Sequence, residues 1–134
     1  MRLPPRLATA VALAGMAAHG RNERRAVLLI SAGAAADESE LPPRATREYL
    51  RALGVPLYVW SLAAEPPDRE WGEFVELGDP ATPLKTARRL GEAAGRLQRD
   101  LKKQRVVWLV GRHLPNRIEL GPEARGIALA AAEP

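Results

Sequence analysis

The sequence predicts an α/β protein: a mostly parallel sheet with helices on both faces, finished by a C-terminal β-hairpin. Three observations predict it. Apolar runs without polar alternation recur along the chain, the pattern of strands covered on both faces. They are separated by stretches of helical periodicity, in the order helix, strand, helix, strand, short strand, helix, strand, which calls for right-handed crossovers. Finally, composition is 46% hydrophobic but only 4% aromatic, so alanine and leucine must build most of the core, which suits helices lying closely on a sheet.

Each element has its own signal. Residues 1–20 admit two readings. Arg2 and Arg6 precede an apolar run over 7–18 with small residues at Gly15, Ala17 and Ala18, which is the grammar of a secretory signal peptide. However, Pro4 and Pro5 interrupt the charged start, and Leu3, Leu7, Val11 and Ala14 recur at helical spacing, which favours a buried helix ending near Gly20. The run is too short to cross a membrane as a helix. Ala26-Val27-Leu28-Leu29-Ile30 is the first buried strand, closed by Ser31-Ala32-Gly33. A polar loop over 34–42 carries Asp37, Glu38, Ser39 and Glu40.

Pro42-Pro43 open a helix running to Leu53, with Ala45, Tyr49, Ala52 and Leu53 on one face, and Gly54 ends it in the left-handed conformation. The second strand spans 55–62, with Pro56 at its start, where a missing donor is tolerated. From 63 to 83 the chain is irregular, apart from a short edge strand within 73–77. The helix 84–103 carries an apolar stripe of Leu84, Ala87, Leu90, Ala94, Leu97 and Leu101, with Lys85, Arg88, Arg89, Arg96 and Arg99 on the other side. A third apolar run, 106–110, precedes alternating residues 117–120, a Gly121-Pro122 turn and a returning segment 126–130, the predicted hairpin.

At 134 residues the chain is one domain, large enough for a core without staples. It has no cysteine, which excludes disulfides, thiolate metal sites and cysteine nucleophiles. Net charge is +4 with a pI near 10.1, but no stretch joins basic residues to stacking aromatics, so no nucleic-acid partner is expected. Richness in Ala, Arg, Gly and Pro points to a bacterial gene of high G+C content.

Catalytic constellations are sparse. His19 and His113 have no close-spaced partner, and Ser31, Ser39 and Ser61 lack the Gly-x-Ser-x-Gly elbow of hydrolases. Ser31-Ala32-Gly33 follows a strand and is small enough to approach a phosphate, yet it is not Gly-x-Gly-x-x-Gly, and Asp37, Glu38 and Glu40 would repel an anion. Trp60 and Trp108 lie in apolar strands and read as core. Trp71, between Pro67 and Gly72, either caps the core or offers an exposed contact.

An alanine-rich helix leading to Arg-Arg-Ala-Val-Leu-Leu-Ile-Ser-Ala-Gly at 24–33, an acidic loop, and a helix running into Gly54-Val55-Pro56-Leu57-Tyr58-Val59-Trp60 together resemble the later half of a bacterial von Willebrand factor A-like domain. The resemblance covers most of 8–130 and rests on pattern. It implies a Rossmann-like layered sandwich and a single such domain over 1–134; the family's first strands have no counterpart in the chain, which leaves open a covering partner, a rearranged sheet or a piece of a longer protein. Two departures matter. The chain contains no Asp-x-Ser-x-Ser, and Ala32 stands where an aspartate is expected after Ser31, so the oxygen ligands a hard cation needs are gone.

The resemblance therefore implies a non-catalytic protein-interaction module with a degenerate metal site, no cofactor, and a ligand or partner loop at Ser31, Gly33, Asp37, Ser39 and Trp71. A protein partner is expected, or self-association through the edge that strand 26–31 would expose. The alternative is a small α/β enzyme or nucleotide- or phosphate-binding protein using the loop after the first strand. The compartment would be the bacterial cytoplasm, or outside it if 1–20 is a signal peptide.

Overall fold

The computed structural model describes residues 5–20, 23–34, 36–105 and 119–127. Its elements are α1 (Leu7–His19), β1 (Val27–Ser31), α2 (Pro43–Ala52), β2 (Leu57–Ser61), a 3₁₀ turn (Arg69–Trp71), β3 (Val75–Glu76) and α3 (Pro83–Lys103). The three strands form one parallel sheet in the order β1-β2-β3. Val27 lies opposite Leu57 and Ser31 opposite Ser61, so β1 and β2 end level with one another. The chain is thus α/β with a parallel sheet. The predicted strand 106–110 and most of the predicted hairpin lie outside the described residues; within 119–127 the backbone makes turns.

Successive residues of a strand point to opposite faces, and the core divides accordingly. Val27, Leu29 and Val59 join Ala8 and Val11 of α1, Leu50 of α2, Val55 and Trp71 in one buried cluster. Trp60 joins Leu77 and Ala93 in another, with Leu62, Val75 and Leu97 against it. Burying a side chain of Val or Leu size is worth about 1.5–3 kcal/mol, so the first cluster dominates stability. Its tightest point is the α1–α2 crossing. A Cβ on Gly15 would fall 2.7 Å from Leu50 Cδ1, so glycine is what lets α1 approach.

Several expectations about faces need correcting. Among the described residues nothing covers β1 on both sides: its burial alternates, leaving Leu28 at 37% and Ile30 at 55% exposure. The reason is that α1 and α2 both lie over the Val27–Leu29 face, while α3 meets the other face mainly at Trp60, Val75 and Leu77. In α2 the inward residues are Thr46 and Leu50, whereas Tyr49 is 37% exposed. In α1 they are Ala8, Val11, Ala12 and Gly15, with Ala14 outside. Along α3 only Ala93 is buried, while Leu84 is 88% and Leu90 43% exposed. Among the glycine stops, Gly54 is left-handed (φ +64°) as expected, but Gly20 sits at φ −67° and ends α1 without needing that freedom.

His19 closes α1. Its Nδ1–H donates to Leu53 O at 2.9 Å, tying the carboxyl ends of α1 and α2 together. Arg25 Nη1 donates to His19 O at 2.8 Å. No helix among the described residues is long and apolar enough to cross a membrane.

Candidate functional site

A parallel sheet offers its carboxyl edge to ligands, and here that edge is built from two matching turns. Ser31 Oγ donates to Gly33 O at 2.6 Å and accepts from Gly33 N–H at 3.1 Å. Ser61 Oγ donates to Glu65 O at 2.8 Å and accepts from Ala63 N–H at 3.1 Å. Both hydroxyls therefore carry the strand into its loop, the local side-chain-to-backbone bonding typical of serine in turns. The two turns touch: Gly33, at φ +131°, would place a Cβ 3.4 Å from Ala63 Cβ. Each hydroxyl proton is already given to a backbone carbonyl.

Asp37 and Ser39 have a different partner, the amino end of α1, thirty residues upstream. Leu7 N–H donates to Asp37 Oδ1 and Ala8 N–H to Oδ2, both at 2.9 Å. Thr9 N–H donates to Ser39 Oγ at 3.0 Å, while Ser39 Oγ–H and N–H donate to Asp37 Oδ1 at 2.6 and 3.0 Å. Glu38 N–H completes the clasp on Pro5 O at 2.9 Å. Helix α1 has no side-chain cap of its own at Arg6, so the loop supplies one from a distance and satisfies its first three amides. Burial alone would raise the Asp37 carboxyl, but the bonds from Ser39, Ala8 and Leu7 outweigh it and hold the group below its ordinary 3.8.

Trp71 lies elsewhere. It is 2% exposed, inside the first core cluster, and so caps the core rather than offering an open ring. The 3₁₀ turn that seats it is started by Asp68 Oδ1, which accepts from Glu70 N–H at 2.7 Å. A shallow depression of about 310 Å³ separates Trp71 and Asp68 from Asp37, Ser39 and Glu40. Thus Asp37 and Ser39 come together, Ser31 and Gly33 form their own turn, and Trp71 is interior. Two of the depression's carboxylates, Asp37 and Asp68, are already spent on capping.

Two further hollows flank the sheet. One of about 680 Å³ runs along α2 beside Leu57 and Trp71, edged by Arg44, Arg47, Arg51, Glu48 and Glu70. Arg47 Nη1 donates to Glu70 O at 3.1 Å; its guanidinium lies over Gly72, whose φ of +80° favours glycine there. The other, about 460 Å³, lies between Leu28 and Leu97 with Leu101. On α3, Arg89 pairs with Glu76 of β3 at 2.7 Å and Arg88 with Glu92 at 3.7 Å, so part of the basic face is neutralised locally. Among the described residues no group of three or more His, Asp or Glu is placed to hold a metal ion. His113 lies outside them.

Sequence reasoning missed Gln104. Its Oε1 accepts from Arg25 N–H at 2.6 Å and its Nε2–H donates to Arg25 O at 2.9 Å, joining the end of α3 to the approach of β1. A glutamine just after a helix carries no signal for such a tertiary clamp. Compared with protein-family models, curated proteins and solved structures, the chain matches none.

Proposed function

We propose that this chain is a non-catalytic protein-interaction module, a Rossmann-like layered sandwich of von Willebrand factor A type without a functional metal-ion-dependent adhesion site. The observation that carries this reading is the clasp of Asp37 and Ser39 on α1. The most carboxylate-like metal ligand near the carboxyl edge has its oxygens filled by backbone amides and a serine hydroxyl. A divalent cation at that carboxylate would have to displace several charge-assisted hydrogen bonds. The edge leaves Ala32, Ala34 and Ala64 in the open, with Leu41 at 46%, among the exposed side chains of Glu38, Glu40 and Glu65. Such a rim suits contact with another protein more than chemistry.

The competing reading, a nucleotide or phosphate held by the loop after β1, draws little from the geometry. Gly33 N–H is taken by Ser31 Oγ, and Asp37 carries negative charge beside it in sequence.

Calorimetric titration of the whole chain with Mg²⁺, Mn²⁺ and Ca²⁺ tests the metal part, with no binding heat expected. Micromolar binding abolished by Asp37→Ala would contradict it. Thermal-shift screening with nucleotides and inorganic anions is expected to be silent. A protein partner held by the wild type and released by Ala32→Arg, at unchanged melting temperature, is the positive expectation.

A further inference from the structure

Helix α3 holds the chain's excess of positive charge. It carries seven Lys and Arg against two Asp and Glu, a net +5, in a chain whose net charge is only +4, so the rest of the sequence is slightly negative. Basic residues gathered along one helix are the electrostatic footprint of a polyanion.

Contacts with the sheet fix which way the helix faces. Arg89 Nη1 donates to Glu76 Oε1 of β3 at 2.7 Å, Ala93 and Leu97 pack with Trp60 of β2, and Tyr58 donates its hydroxyl to Asp100 Oδ2 at 3.2 Å. Gln104 then clamps both backbone groups of Arg25. Residues 88, 92, 96, 99 and 103 each precede one of these by a single position, and so lie about 100° around the helix from it. With Lys85 they form one row at helical spacing: Lys85, Arg88, Arg96, Arg99 and Lys103, interrupted by Glu92 and exposed throughout. At 1.5 Å per residue the row runs about 27 Å. Leu101 is on the other flank, lining a hollow with Leu28, so the row is turned away from β1. Arg88 pairs with Glu92 at 3.7 Å, while Lys85, Arg96, Arg99 and Lys103 take no ion pair among the described residues.

What lies between and beside the cations selects the partner. Helix α3 has no aromatic residue on which a single-stranded base could stack. A helix that enters a lipid surface sets large apolar residues beside its cations, whereas the middle of this one shows Gly91, Gly95 and Gln98 there. Nor does the row enclose the aromatic or aliphatic anchor on which a protein interface centres. A straight line of point charges bordered by small residues complements a duplex backbone, which presents one negative charge about every 1.7 Å of its axis. Glycine inside a helix costs stability relative to alanine, and a Cβ on Gly91 would meet no described residue within 4 Å. Packing among those residues does not call for it, but close approach of a phosphate backbone does. The lack of aromatics, which removed nucleic acid from the sequence expectations, bears on single strands and not on a duplex.

We infer that the row from Lys85 to Lys103 binds the phosphate backbone of double-stranded nucleic acid. Contacts to phosphates position a protein without reading bases, so this binding is indifferent to sequence. It is independent of the proposed function, which concerns the carboxyl edge of the sheet.

Fluorescence anisotropy of a labelled DNA duplex of about 24 base pairs, titrated with the full chain between about 50 and 200 mM salt, tests it. The expected dissociation constant is about 10⁻⁵ M at the lower salt, with log affinity falling against log salt at a slope of about −3.6, or about 0.9 for each of the four unpaired cations. Arg96→Ala combined with Arg99→Ala should weaken binding at least about tenfold and flatten the slope by about 2, at unchanged melting temperature. Lys85→Gln combined with Lys103→Gln repeats the measurement from the ends of the row, with the same direction expected. Removing equal charge from α2, by Arg44→Ala with Arg51→Ala, should change affinity less than about twofold. Gly91→Leu should raise the melting temperature yet weaken binding at least about threefold, a pairing that a purely structural role would not produce. Absence of binding at the lower salt would overturn the inference, as would equal losses from the α2 and α3 double variants. Tighter binding to a single strand of the same length would overturn it too, and so would equal capture by phosphatidylserine vesicles, which would assign the row to a membrane surface.

Discussion

The face of the sheet beneath α1 and α2 and the face beneath α3 are held in different ways. On the first, eight buried residues form one cluster, and a glycine lets two helices close until Leu50 fills the gap. On the second, three of the described residues form the buried cluster, and α3 is fastened by polar ties spaced along it: Arg89 to Glu76, Asp100 to Tyr58, Gln104 to Arg25. The first arrangement draws on apolar burial, which is large and is not screened by salt. The second draws on partly exposed hydrogen bonds and one ion pair, each of which is worth little alone. One sheet therefore has a firm side and a side more open to local change.

Breaking the comparison on its firm side should cost most. Leu50→Ala is expected to lower stability by about 2–5 kcal/mol, seen as a drop in the urea midpoint at unchanged slope. Adding Gly15→Ala to it should cost less than Gly15→Ala costs in the wild type, because the shortened side chain makes room for the new methyl. Additive losses would show that the α1–α2 crossing is not the constraint described.

Next in size is the clasp. Asp37→Ala should cost about 1–2 kcal/mol at neutral pH, as removal of a helix cap does. The folded carboxyl titrates below 3.8, so its contribution is present above that value and is lost as pH falls through the folded value. Wild type and variant should therefore converge in stability on acidification below pH 3.8. A gap that persists there would mean the alanine acts by something other than lost charge.

On the open side the effects shrink. Gln104→Ala should cost about 1 kcal/mol, since it leaves Arg25 without the amide that meets both its backbone groups. Arg89→Ala should cost at most about 0.5 kcal/mol, and less in high salt, because the Arg89 and Glu76 side chains remain 29% and 45% exposed. Were Arg89 to outweigh Leu50, the contrast between the faces would be wrong.

Much of the scaffold was legible. The runs at 26–30 and 55–62 became β1 and β2, Pro43 and Gly54 bracketed α2 and its turn, and the short strand after Trp71 appeared as β3. Helix faces were read less well, by about one position each: Ala14 for Gly15, Tyr49 for Leu50, Ala94 for Ala93. The cause is physical. In an alanine-rich helix small apolar residues occur all round, so several stripes fit the period and only packing chooses among them.

The site was harder still. Asp37-x-Ser39 is recognisable as a turn former, but its true partner is the bare end of a helix thirty residues away, and no local pattern encodes that. Trp71, with its Pro and Gly neighbours, left two readings open, a cap on the core or an exposed contact, and the turn that Asp68 starts seats the ring inside as the cap.

The central claim is that the acidic loop after β1 is a helix cap and not an ion site. Nuclear magnetic resonance can follow the Asp37 carboxyl and the amides of Leu7, Ala8 and Thr9 together through an acid titration, with and without Mg²⁺. The account predicts that Asp37 titrates below 3.8, that the three amides shift with it, and that Mg²⁺ changes neither. An Asp37 that titrates at its ordinary value with the amides unmoved, or that shifts when Mg²⁺ is added, would contradict it.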